Sequence, residues 1–124
     1  MGFFVPPEPG DIVYCRFPEK GLPGPAVKPR PALVLTVGEI DGNRAVVVAY
    51  GTLQNTDRLH SGEFLIGPAD GEAYRLSGLS LPTKFDLGSV KELPYDELWF
   101  RVPPGAPHGQ TPRLGVLHPS FLRR

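Results

Sequence analysis

Apolar and polar positions alternate along Ile12-Val13-Tyr14-Cys15-Arg16-Phe17, with Val13, Cys15 and Phe17 on one side and Tyr14 and Arg16 on the other. That is the pattern of a strand with one buried face. A second strand is predicted over 30–37, where Ala32 to Leu35 is continuously apolar. Asp41-Gly42-Asn43 then turns the chain back antiparallel into a valine-rich return strand over 44–50. Further short strands are expected at 63–66, 90–93 and 114–117, with brief pairing at 73–76. Residues 80–87 read as extended, and Pro82 puts that segment at a sheet edge or a bulge. Residues 96–100 fit a helical or an extended turn equally well. Residues 119–124 read as one turn of helix with Pro119 at its first position. No apolar stripe of helical period lasts three turns. Short strands punctuated by Gly and Pro therefore predict a mainly β fold, a small barrel with Pro/Gly-rich loops and at most short helices.

A length of 124 residues fits one domain, 1–124, with 1–9 as an extended N-terminal tail. The 16 prolines and 15 glycines leave little room for helix interiors, and the proline-rich loop at 18–29 is long enough to suggest a role beyond connection. Thirteen basic residues balance thirteen acidic ones, so any anionic ligand must be held by a local cluster. The single cysteine, Cys15, has no disulfide partner and no metal-ligand spacing around it, and it reads as a small core residue. The apolar start is cut by Pro6 and Pro7 and does not resemble a signal peptide. The longest apolar run, 45–50, is far short of the roughly 20 residues a membrane helix needs. The expectation is a cytoplasmic protein with no membrane contact.

The chain holds no Gly-x-x-x-x-Gly-Lys loop, Gly-x-Gly-x-x-Gly, Cys-x-x-Cys, His-Glu-x-x-His or Gly-x-Ser-x-Gly, which argues against nucleotide-driven and zinc chemistry. No cofactor or metal is expected. His60, His108 and His118 all fall in loop-like surroundings without partners nearby in sequence. The distinctive stretch is Lys28-Pro29-Arg30-Pro31-Ala32-Leu33-Val34-Leu35. Its two prolines stiffen the backbone on either side of Arg30, and the apolar run anchors it in the core. A permanently charged planar fork at the root of a strand suits phosphate recognition, and the plain alternative is a solvated arginine. The same stretch, from Pro23 to Pro31, could also serve as a polyproline ligand for another domain.

In order, Gly10-Asp11-Ile12-Val13-Tyr14, the Lys28 to Leu35 stretch and Val46-Val47-Val48-Ala49-Tyr50-Gly51-Thr52 resemble the PemK/MazF family of type II toxin-antitoxin endoribonucleases. Gly78-Leu79-Ser80-Leu81-Pro82-Thr83-Lys84-Phe85-Asp86-Leu87, Val90-Lys91-Glu92-Leu93-Pro94 and Gly115-Val116-Leu117 resemble later segments of one branch of it. The resemblance covers residues 9–124 and implies an SH3-like (CcdB/MazF-type) barrel. It further implies a homodimer that cleaves single-stranded RNA without metal, a cognate antitoxin whose acidic tail competes for the cleft, and operator DNA contacted through that antitoxin. Arg30 and Thr52 match the family's catalytic positions. A guanidinium is a poor base, so Arg30 is expected to stabilise the phosphorane and Thr52 to orient an oxygen.

His60, in the loop after Thr52, is the candidate for proton transfer, because imidazole titrates near neutrality. Lys84 and Lys28 are expected to hold neighbouring phosphates and Tyr50 to stack a base. The plain alternatives are a surface lysine, a core or rim aromatic and, for Thr52, a turn residue. The resemblance is also compatible with a non-cleaving module that keeps only antitoxin or operator binding. Two features depart from the family: the long C-terminal helix is reduced to 119–124, and the net charge is zero.

Overall fold

The N-terminal alternation produces strand β1 (Asp11–Cys15), and the run after Arg30 produces β2 (Arg30–Ile40). Asp41 and Gly42, at φ of 51° and 81°, form the tight turn into β3 (Asn43–Thr52). Two successive positive φ values suit the twist of a hairpin, and Asp-Gly is a pair that adopts them at low cost. β4 (Glu63–Ile66), β5 (Thr83–Pro94) and β6 (Arg113–Val116) complete one antiparallel sheet in the order β4-β5-β3-β2-β1-β6. The structure, a computed structural model, describes residues 4–123. Strand occupies 41% of the chain and helix 10%, so the fold is mainly β as expected.

Both faces of the central strands are covered, which is why β2 reads as a continuous apolar run rather than an alternation. On one face Val13, Cys15, Ala32, Val34 and Val48 pack with Tyr95 and Phe100. On the other, Ile12, Leu33, Ala49 and Phe85 pack with Ala73 and Phe121. Each valine, leucine or isoleucine side chain fully buried here contributes about 1.5–3 kcal/mol. Helix α1 (Glu72–Ser77) touches both edge strands, β4 and β6, and the Phe64 ring lies 5.6 Å from that of Phe121. The sheet is therefore curled, and its two edges are bridged by side chains rather than by a strand ladder.

Several expectations need correction. Residues 73–76 do not pair as a strand and instead lie in α1. Gly71 and Gly78 bracket the segment, Glu72 and Arg75 form an ion pair one turn apart, and Ala73 and Ser77 share the buried side. The segments at 80–87 and 90–93 are one strand, β5, lying inside the sheet between β4 and β3, with Pro82 just ahead of it. β5 opposes Asp86 to Tyr50 and Val90 to Ala49, which leaves Leu87, Gly88 and Ser89 as a bulge without partners on β3.

Residues 96–100 form a turn in which the Asp96 carboxylate accepts the amides of Leu98 and Trp99. The 103–112 loop is exposed except at its ends, where Pro112 is buried and its carbonyl accepts the Tyr14 amide. The expected tail is only partly described, since residues 1–3 lie outside the described residues. Phe4 packs edge-on against Tyr95 and Pro7 is buried, so the remainder is docked. Pro31 pairs with Tyr14 inside the sheet, so the 23–31 stretch cannot be presented as a free polyproline helix. Residues 119–123 form a short 3₁₀ turn, in keeping with the expected single turn. Among the described residues no helix is long and apolar enough to cross a membrane.

Candidate functional site

Arg30 begins β2 opposite Cys15, and its side chain follows Ala32 and Val34 along the face that carries the first core. β3 runs alongside with Ala32 opposite Tyr50. Continued by two residues, this register sets Thr52 across from Arg30. Gly51 does lie against the Pro31 carbonyl, and only a residue without a β-carbon fits there. Past Tyr50 the core gives way to an open groove of about 1220 Å³. Phe17 and Tyr50 lie in its lining with ring centroids 5.2 Å apart.

Two walls flank that aromatic pair. The 18–29 loop brings Lys20, Lys28 and the exposed Val27 from one side. The β5 bulge brings Ser89, Val90 and Lys91 from the other. The Asp86 carboxylate shapes this second wall by accepting the Gly88 amide at 2.8 Å and the Ser89 hydroxyl at 2.9 Å. Four cations, Lys20, Lys28, Arg30 and Lys91, line the groove against one carboxylate, Glu19. None of the four cationic groups has a hydrogen-bond or ion-pair partner among the described residues, whereas Arg75, Lys84 and Arg113 are each matched to a carboxylate elsewhere. On a chain of zero net charge, this concentrates positive potential at a single concave surface.

Thr52 ends β3, and its Oγ1 accepts the amide of Gln54, a groove residue, at 3.1 Å. The hydroxyl proton stays available for donation. Arg30, Lys28 and Tyr50 thus come together in the groove lining as the sequence suggested, whereas Thr52 is outside that lining, at the register position adjoining Arg30.

Lys84 and His60 do not join them. Lys84 is only 6% exposed, and its ammonium donates to the Arg58 carbonyl at 3.0 Å and to Glu63 Oε1 at 3.3 Å. It is neither a phosphate ligand in the groove nor a surface lysine. It is a clamp on the 53–62 loop. His60 is exposed in that loop and absent from the groove lining, and its amide donates to the same Glu63 oxygen at 2.7 Å. His108 and His118 face Leu114 and Ser120 and lie outside the groove as well.

The clamp carries its own prediction. The His60 amide, and after it the Lys84 ammonium, hold the Glu63 carboxyl below the usual carboxylate range against the opposing effect of burial. A carboxyl whose folded value is depressed stabilises the fold above its unfolded value, and that contribution is lost as pH falls through the folded one. Protection of the His60 amide, corrected for intrinsic exchange, is expected to fall over the acid interval below the ordinary glutamate value of about 4.3. Unchanged protection across that interval would rule the clamp out.

A second, smaller groove of about 680 Å³ lies between β2, β4 and the C-terminal turn, with Leu33, Leu35, Phe64, Leu65 and Leu117 in its lining. Its one charged group, Glu63, is already bound by Lys84. It offers nothing to an anion. Cys15 is fully buried, and burial pushes its thiol well above the ordinary range, so it is inert core, as the sequence suggested. Among the described residues no group of three or more His, Cys, Asp or Glu is placed to hold a metal ion.

No protein-family model matches the chain, and no curated protein matches it either.

Sequence reasoning missed Lys20, Lys91, Gln54 and Ser89. Lys20 was legible only as part of a loop marked out by its length. Lys91 reaches the groove because of the bulge, and Gly88-Ser89 between two apolar segments was the one available sign of it.

Proposed function

We propose that the groove binds single-stranded RNA and that the protein is an endoribonuclease toxin of the PemK/MazF kind, with a cognate antitoxin as its partner. The observation that carries this reading is the convergence of four cations, unpaired among the described residues, on an aromatic pair beside a strand-end hydroxyl. Phosphates would lie along the cations. A base would pack on the exposed part of Tyr50, whose ring already rests against Phe17. Cleavage would proceed by attack of a ribose 2′-hydroxyl on the adjacent phosphorus, giving a cyclic phosphate and a free 5′-hydroxyl. Arg30 would stabilise the pentacoordinate charge, and Thr52 would donate to a phosphate oxygen.

A second reading is favoured by the absence of any histidine from the groove lining among the described residues. In it, the same surface holds an antitoxin tail, and through it operator DNA, without cutting RNA.

The deciding experiment incubates the purified chain with single-stranded RNA in the presence of a chelator and analyses the ends. Cyclic phosphate termini that disappear with Arg30→Ala support the nuclease. Intact RNA that is nonetheless bound with an Arg30-dependent affinity supports the binding module. RNA neither cut nor bound rejects the RNA reading and leaves the second, which Arg30-dependent binding of an acidic peptide would then support.

A further inference from the structure

The 18–29 loop cannot hold itself in place. Pro18, Pro23, Pro25 and Pro29 have no amide hydrogen. Within the loop, one backbone hydrogen bond, Leu22 to the Glu19 carbonyl, closes a local turn. The attachment to the body runs through Arg16. The Ala26 amide donates to the Arg16 carbonyl at 3.1 Å, and Arg16 Nε donates back to the Ala26 carbonyl at 2.7 Å. Arg16 Nη1 reaches the Leu98 carbonyl at 3.0 Å, and the Arg16 amide donates to the Trp99 carbonyl at 2.7 Å. One residue therefore ties the end of β1, the loop and the 96–100 turn together.

Its acceptors are carbonyls. Among the described residues Arg16 has no carboxylate within ion-pairing distance. An arginine held this way keeps its full charge directly behind the wall that carries Lys20 and Lys28, and it fixes the wall without neutralising it. A guanidinium suits both tasks, since its rigid planar fork presents Nε and Nη1 to two acceptors in fixed directions, whereas an ammonium carries all its donors on one atom at the end of a flexible stem.

We propose that Arg16 is the positioning residue that holds the 18–29 loop as the basic wall of the groove, and so sets the affinity for an anionic single strand. This rests on the groove being an anion-binding surface, and it adds the element on which the binding energy depends. With the fork removed, the loop leaves the wall and Lys20 and Lys28 no longer converge with Arg30.

The test compares the full chain with Arg16→Met and Arg16→Lys. It measures binding of a fluorescent oligouridylate and of heparin over a range of salt, amide exchange at Ala26, and turnover at saturating RNA. Both variants are expected to bind about tenfold more weakly, with the salt slope for the single strand falling by roughly 0.7 for each phosphate that the displaced lysines release. Ala26 exchange should speed up, the thermal midpoint should hold, and turnover at saturation should stay within about twofold of wild type.

Wild-type affinity in Arg16→Lys would mean that charge alone matters and would overturn the proposal. So would unchanged Ala26 exchange in Arg16→Met. A wild-type chain that binds heparin but not oligouridylate rejects the RNA reading, and Arg16 is then judged on heparin affinity and exchange. A chain that binds neither polyanion overturns both.

Discussion

Replacing Arg30 with alanine is expected to lower turnover on single-stranded RNA by about 10²–10³-fold, with folding stability changed by no more than about 0.5 kcal/mol. The two parts of the expectation have separate causes. The guanidinium is unpartnered among the described residues, so its removal orphans no buried group. Its backbone is held regardless, by the ladder to Cys15 and by prolines on either side. The loss falls on whatever the fork touches when a phosphate is bound. Arg30→Lys should restore part of the affinity but little of the rate, because a point charge neutralises a phosphate without matching its oxygens pairwise. Initial rates at saturating RNA, beside a thermal midpoint, decide the matter. An alanine variant that cuts and binds like wild type would remove Arg30 from the mechanism.

The parts of the fold legible in the sequence are those set by local chemistry. Alternation in β1, the apolar run of β2, the Asp-Gly turn and the valine-rich return strand each have one favourable conformation, and each lies where expected. What was not legible depends on distant partners. Nothing within residues 73–76 distinguishes a paired segment from α1, because the deciding contacts are with β4 and β6. Gly88-Ser89 looks like a break between two strands, whereas β3 supplies pairing on both sides of it and turns the break into a bulge.

The candidate site divides in the same way. Arg30, Lys28 and Tyr50 lie near each other along the β2–β3 hairpin and could be grouped from sequence. Lys84 lies opposite Thr52 in the ladder, close enough to suggest a shared role. Its long chain is drawn instead to Glu63 on the strand beyond, a choice made by a carboxylate that sequence spacing does not bring near. Lys91 shows the converse. Local pattern puts it on a strand of its own, and it enters the groove because three residues bulge out before it.

Gly51→Ala is expected to destabilise the protein by about 3 kcal/mol or more and to abolish activity in whatever fraction stays folded. A β-carbon there would run into the Pro31 carbonyl and stand 2.9 Å from Phe85 Cε1. Phe85 is fully buried and cannot swing aside. Pro31 belongs to β2, which is paired to β1 on one side and β3 on the other. Relief therefore requires β2 and β3 to separate at the point where Arg30 and Thr52 should face each other. Gly38→Ala is the matched control, since a β-carbon at that position of β2 meets nothing within 4 Å, and its cost should stay within about 1 kcal/mol. Urea midpoints of the two variants provide the comparison. If they coincide, the hairpin tolerates a side chain at residue 51, and the close approach of its two strands is not what aligns the arginine with the hydroxyl. If they differ as expected, the glycine before Thr52 is required by packing rather than by a turn, and the same steric constraint that stabilises the hairpin sets the geometry of the groove.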